Sequence, residues 1–457
     1  MNRYAQSVPS GILALTLLGV TSARGDVAAS TSPNAVAATN APAVAMASTN
    51  AEPGTLDALF NRDLPAAIGQ SKINFQWRPR YEYADTQSAK PSQALTMRTV
   101  FGLTTAQLYG FQGMIEGLNV ATPAPNRYNA GDDPSNADKA LVLDPPTTQL
   151  NQAWLSYTYT NWATGAKGGR QIINLDNQRF VGSVDWRQNP QTFDAIGLGN
   201  TSVDHLSLLY TYLGRVNRVG GDVSGLAPAL ADFDSSSHVI HANYDACEYA
   251  NATGYIYLLD LENDAGNANS CATYGFSVTG KAPLSEDFKL DYRGEFAWQT
   301  DYADSPLDYS APYLHFTLGT TIQPVSFGVG YELLGSDNNA GVRTPLATLH
   351  AFDGWADVFV NTPNTGLQDM YVWGQVQLPW ELPLKVMLHK FNAASGGGYN
   401  YGNELDVSLT KKLGKHWTAM VKYAYYDAKN SFTAPGVTPV TSNSNVQKFW
   451  FQMNFSL

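Results

Sequence analysis

Residues 169 to 194, GRQIINLDNQRFVGSVDWRQNPQTFD, bring Arg170, Arg179 and Arg187 together with Asp176, Asp185 and Asp194 in a chain only 15% charged. The chemistry open to such a set is ionic rather than covalent. A guanidinium is always charged, and its planar fork holds a carboxylate through two parallel hydrogen bonds. These side chains therefore either pair with one another or grip the carboxylate of a ligand. Covalent constellations are weaker. His238 and His241, the closest of seven histidines, are three residues apart, which on a strand puts them on opposite faces and denies them a shared metal. His205 and Ser207 share a face that continues through Thr211 and Arg215, a polar strand side suited to lining a pore. No phosphate loop, zinc signature or nucleophile elbow occurs. No enzymatic activity, cofactor or metal is expected.

The elements that position these charges follow from the rest of the chain. Residues 1–25 read as a secretory signal, with Arg3, the apolar run GILALTLLGV and small residues allowing cleavage after Ala23 or Gly25. That run is shorter than the ~20 residues of a spanning helix. Residues 26–69 form a leader rich in Ala, Ser, Thr and Pro whose first part has almost no large apolar side chains to offset the entropy of ordering. A net charge of −11 argues against nucleic acid. No later stretch approaches a membrane-spanning helix, so entry into a bilayer requires a closed barrel.

From residue 70 to 457 the dominant signal is alternation of period two. In KINFQWRPRYEY (72–83), Ile73, Phe75, Trp77, Tyr81 and Tyr83 oppose Lys72, Asn74, Gln76, Arg78, Arg80 and Glu82, giving one greasy and one charged face. Eighteen candidate strands begin near 71, 95, 109, 149, 165, 191, 203, 236, 253, 271, 287, 310, 325, 367, 383, 400, 416 and 445. Their long links (123–148, 175–190, 218–235, 337–366, 429–444) fall at odd-numbered connections and short links at even ones. This is the parity of an antiparallel up-and-down transmembrane β-barrel in the bacterial outer membrane, all-β, with short periplasmic turns and long external loops. The chain ends on QKFWFQMNFSL, resembling a C-terminal outer-membrane insertion signal. Cys247 and Cys271 lie at opposite ends of an intervening strand, about 25 Å apart against a limit of ~7 Å, so no disulfide is expected.

Alternation turns Arg78, Arg80, Glu82, Arg98, Glu116, Arg170, Arg215, Lys289, Asp291, Arg293, Glu295, His389, Glu404, Asp406 and Lys422 inward. Ionisable groups within a membrane span line water or pair with each other, so an interior set of this size implies a wet channel or a barrel rigidified by its own ion pairs.

GRQ (169–171), LDNQRFVG (175–182), WRQN (186–189) and QTFDA (191–195) resemble the signature region of the alginate-export family of outer-membrane porins. The likeness extends to RPRYE (78–82), MRTVFGL (97–103), LNQAWLSY (150–157), HAFDGWADVFVNTPNTGLQD (350–369), YGNELD (401–406) and VKYAYYDA (421–428). The resemblance implies a monomeric eighteen-stranded barrel with an electropositive constriction that passes an anionic polysaccharide or its oligomers. It implies Arg80, Arg98, Arg170, Arg179 and Arg187, joined by inward Arg293, as the selectivity region. Asp176, Asp185 and Asp194 would hold the guanidinium groups, Asn177, Gln178 and Asn189 would bond sugar hydroxyls, and Trp186 would either stack on a sugar or anchor its loop. On this reading Arg170 reaches the lumen from a strand end, the following loop folds inward to place Arg179 and Arg187 at the constriction, and Asp194 starts the next strand facing inward.

The expected partners are outer-membrane lipid and an anionic polysaccharide or small anionic solute, with periplasmic export proteins left open. The alternatives are a general or anion-uptake porin for small solutes, and a structural or adhesive barrel plugged by loops such as 337–366.

Overall fold

Alternating side chains close the chain into a barrel. The computed structural model describes residues 56–457 apart from 224, 264–265, 284, 286–287, 398 and 431–443. The expected signal (1–25), most of the leader and most of the 429–444 link lie outside the described residues. In chain order the strands are β1 (Lys72–Thr86), β2 (Ser92–Thr104), β3 (Phe111–Ala121), β4 (Thr147–Tyr159), β5 (Thr164–Gln171), β6 (Thr192–Asn200) and β7 (Leu206–Asn217). There follow β8 (Asp232–Cys247), β9 (Ala250–Leu259), β10 (Cys271–Pro283), β11 (Lys289–Asp301), β12 (Ser310–Ile322) and β13 (Val325–Leu334). A two-residue hairpin, β14 (Ser336–Asp337) with β15 (Ala340–Gly341), precedes β16 (Leu367–Leu378), β17 (Leu382–Asn392), β18 (Asn400–Leu413), β19 (Trp417–Ala428) and β20 (Val446–Ser456). Setting the hairpin aside, eighteen strands pair antiparallel with their neighbours, and β1 closes on β20.

Closure satisfies the backbone within the bilayer, where no water can do so. The lipid face carries the apolar half of the alternation, including exposed Phe101, Phe316, Val329 and Phe451. At the seam, Phe75 of β1 meets Phe455 of β20 at 5.9 Å, and Trp77 reaches past β20 to meet Trp417 of β19 edge-on at 6.1 Å. The long connections 122–146, 172–191, 218–231 and 335–366 lie at one end and short turns such as 160–163 and 323–324 at the other, which sets external and periplasmic sides. Cys247 and Cys271 are both free.

Phe316 sits midway along β12 facing lipid. Phe316→Arg is therefore expected to lower folding stability in vesicles by about 2–4 kcal/mol, measured by urea titration; an unchanged midpoint would remove that face from the bilayer.

Candidate functional site

The loop 172–191 leaves β5 and turns into the barrel. Its apolar residues Ile173, Leu175, Phe180 and Val181 are buried, and Phe180 packs among Tyr313, Tyr255 and Tyr257 of the inner wall at 5.0, 5.5 and 6.1 Å. The turns that fold it back use left-handed backbone at Asp176, Gln178 and Val184. For a β-branched residue this conformation is strained. The Val184 amide donates to Thr348 Oγ1 at 3.0 Å, one of the contacts that holds it.

Charge decides where the loop docks. From the wall, Arg78 donates to Asp185 Oδ2 at 3.1 Å and to its carbonyl at 2.8 Å, while Arg98 pairs with Asp185 Oδ1. Arg80 bonds Gln452 at 2.7 Å and lies 4.3 Å over the Trp186 ring. Arg179 bridges Glu332 at 2.7 Å and Asp353 at 2.8 Å. Arg187 reaches Glu82 at 3.2 Å, Asp357 at 3.3 Å and Asp144 at 3.7 Å. Burial alone would raise the Asp185 carboxyl, but Arg98 and Arg78 outweigh it and hold the group below the ordinary carboxylate value.

A second loop, 335–366, fills the space beside the first. Gly182 donates to the Leu346 carbonyl at 2.8 Å and Thr348 to that of Gln178 at 3.0 Å. Wall carboxylates Asp406 and Glu404 accept the amides of Trp355 and Ala356 at 3.2 and 2.7 Å. Phe359 packs against Phe391, Tyr401 and Tyr426.

The two loops meet the wall in one aromatic knot. His350 stacks on Trp186 at 3.9 Å with planes 7° apart, and Trp450 meets both rings edge-on. Lys422 Nζ lies 3.6 Å from the Trp355 ring and 4.4 Å from the Trp186 ring. Burial, opposed by Asp357 and aided by Lys422, keeps the His350 imidazole well below its ordinary value and therefore neutral. Its tautomer then follows from its partners: Nδ1–H donates to Asp357 at 2.6 Å and Nε2 accepts from Lys422 at 2.7 Å.

Three residues expected in the lumen stand elsewhere. Arg170 and Asp194 share the outer face of the barrel, joined by hydrogen bonds of 2.7 and 2.8 Å near the external rim. Arg215, also expected inward, lies beside them on that face and pairs with Asp232 at 2.8 Å. The phase of β5, TGAKGGRQ, is weakly specified because its glycines offer no apolar face. In β6 the aromatic Phe193 points inward to the packed loops, which turns Asp194 outward, and a bulge between Leu213 and Arg215 reorients the end of β7.

The other expected residues do converge inside, with unequal access to water. Trp186 is 1% exposed and sandwiched by side chains, which makes it a loop anchor with no face left for a sugar. Asn189 is fully buried, accepting from Gln149 and donating to the carbonyls of Arg218 and Val219. Asn177 accepts from the Arg179 amide, and Gln178 accepts from the Thr348 hydroxyl. Asp176 pairs with His241 at 3.0 Å and Arg293 with Glu295. The side chains of Asp185 (20%), Asp176 (17%), Arg187 (12%) and Arg293 (10%) keep some exposure, and these are the charged groups of the set that a solute can meet.

Asp144, Asp353, Asp357, Lys422 and Lys448 belong to the same network but were not singled out as site residues. Asp353 and Asp357 stood in plain view within HAFDGWADVF, yet nothing in spacing tells a loop carboxylate that it will meet Arg179, Arg187 or Lys448. Lys422 stood in the inward set, without a sign that two loop tryptophans would enclose it.

A closed eighteen-stranded barrel with its external loops packed into the lumen is an outer-membrane porin fold. Solved porins share it. OpdK of Pseudomonas aeruginosa, crystallised with vanillate, superposes with a TM-score of 0.66 at 13% identity over 85% of this chain and 99% of that one. OpdL of the same organism gives 0.62 at 14% identity over 85% and 99%. OccAB4 of Acinetobacter baumannii gives 0.64 at 12% over 85% and 98%. At such identities the likeness is one of fold. The family model described as alginate export matches residues 67–301. The chain belongs to the alginate export family and is a channel protein of the bacterial outer membrane. No curated protein matches it in sequence.

Asp185→Ala leaves Arg78 and Arg98 without their shared carboxylate. It is expected to cost about 3 kcal/mol and to convert a steady single-channel current into a noisy one of higher mean conductance; a variant trace as quiet as that of the wild type would refute the clamp.

Asp357 is likewise held well below the ordinary carboxylate value, burial being outweighed by His350 and Lys448. A carboxylate lowered on folding contributes fully above its unfolded value near 4 and loses that contribution only as pH falls through the folded one. His350, lowered on folding, acts earlier: its contribution is complete above its unfolded value near 6.5 and declines below it. The current should therefore be steady at pH 8, begin to grow noisy below about pH 6, and lose the Asp357 clamp only in stronger acid. A current as steady at pH 5 as at pH 8 would contradict the neutral His350.

Proposed function

We propose that this channel favours small carboxylate-bearing solutes and takes them up through the space left beside the two inward loops. One observation carries the reading. The inner wall formed by β1, β2, β19 and β20 presents Arg78, Arg80, Arg98, Lys422 and Lys448 against a single carboxylate, Glu82, among the described residues. Loop residues Asp144, Asp185 and Asp357 offset part of that charge, and Arg187 adds to it, leaving the wall basic with one guanidinium partly open to water. A partly neutralised site attracts a carboxylate without trapping it, which is what conduction requires.

Small size follows from the filling of the lumen. Leu346, Trp186, Arg80 and Val342 are essentially inaccessible, so passage is confined to the margins of the packed loops. The crystal structure of OpdK with vanillate, a small aromatic carboxylate, supports the same class of solute. A second reading, export of an anionic polysaccharide, draws on the family match over residues 67–301 and requires the loops to leave the lumen during transport. The direction of flux in either case follows the gradient.

Purified barrel in a planar bilayer under a salt gradient tests both. The expected reversal potential has the sign of anion preference, with block by benzoate-type carboxylates at lower concentration than by uronate oligomers. Cation preference would overturn the reading, absence of current would indicate a plugged barrel, and tighter block by oligomers would favour the polymer. Arg187→Gln should reduce anion preference, whereas Arg170→Glu, on the outer face, should leave it unchanged.

A further inference from the structure

The chain just before β1 carries an apolar stripe that the barrel leaves uncovered. Residues 56–69 are helical, as a turn of α-helix, a π-helical turn (Leu59–Asp63) and a second helix (Leu64–Gly69). Leu56, Phe60, Leu64 and Ile68 recur every fourth residue and are 74%, 61%, 37% and 52% exposed. Ala67 is the buried residue of the second helix.

The segment is nonetheless held against the barrel. Tyr109 donates to Asp63 Oδ2 at 2.5 Å, and the Ala106 amide donates to the Ala67 carbonyl at 3.3 Å. Both contacts come from 105–110, the short turn between β2 and β3, so the helix lies at the periplasmic rim of the barrel wall. The outer surface there is the lipid belt: Ile73 follows the helix by a few residues, and Phe111 comes two residues after Tyr109. Ile115 and Trp162 extend that belt and are 60% and 70% exposed.

A helix of this length is marginal in water. A row of four large apolar side chains facing water is itself costly and marks a surface that something covers. Continuity with the lipid belt identifies the cover. We propose that residues 56–69 form an interfacial helix that lies in the headgroup and acyl boundary of the inner leaflet, with Leu56, Phe60, Leu64 and Ile68 among the lipid chains. Arg62, 72% exposed and paired with Asp63 at 2.6 Å, supplies the polar side such a helix needs. The helix thereby sets the depth of the periplasmic rim and tethers the leader that precedes it to the membrane surface.

The test uses the full chain in vesicles of phosphatidylethanolamine and phosphatidylglycerol. In a Cys247→Ser background, with Cys271 buried and unreactive, Phe60→Cys and Ile68→Cys are each labelled with an environment-sensitive nitrobenzoxadiazole. Ser135→Cys on an external loop serves as the aqueous reference. Both rim labels should emit to the blue of the reference and lose intensity when the phospholipids carry brominated acyl chains, whereas the reference should do neither. Emission like that of the reference at either position would overturn the proposal. So would a blue shift without quenching by brominated lipid, since a protein surface would then be the cover.

Discussion

A charge removed from bulk water must find a partner, and that constraint organises the interior of this barrel. Asp185 is its clearest case. The loop that carries it leaves the wall between β5 and β6, and two arginines projecting from β1 and β2 leave it one low-energy place to settle. With Asp185 in that place, Trp186 lies against the Arg80 guanidinium and Arg187 among Glu82, Asp144 and Asp357. The second loop is held beside it where its own Asp357 and the amides of Trp355 and Ala356 meet complementary groups.

The consequence is a lumen built in two parts. Toward the periplasm the inner wall is polar and partly open. Toward the exterior it is a packed core in which Phe180, Trp355 and Phe359 bury apolar surface much as they would in a water-soluble domain. Such a core resists local opening, because its ion pairs and aromatic contacts share members and cannot be released one at a time. Lys422 shows the coupling: the same ammonium fixes the tautomer of His350 and fills the space between Trp186 and Trp355.

Passage of a polymer and passage of a small carboxylate make different demands on the lumen. The physical distinction lies in the loops rather than in the barrel. A polymer needs a continuous groove along the axis, whereas a small carboxylate needs only a succession of weak contacts beside a basic wall.

Much of the barrel was legible from local pattern alone. Lipid on one side and water or charge on the other impose a period of two, so strand number and order followed from alternation and loop parity, with β10, β12, β13, β16 and β18 starting where expected. β8 shows the usual error at an edge, beginning at Asp232 rather than near 236. Pattern failed where the lumen itself becomes hydrophobic. There Phe193 and Leu213 point inward, the equation of greasy with lipid-facing reverses, and Arg170, Asp194 and Arg215 turn to the outside. The sequence by itself determined the closed barrel, its two ends and the concentration of charge in residues 169–194, because these rest on local periodicity and composition. Only the tertiary structure decided which arginine meets which carboxylate, since those pairs join segments as distant as Arg179 and Asp353 and exist only when both loops occupy the same lumen.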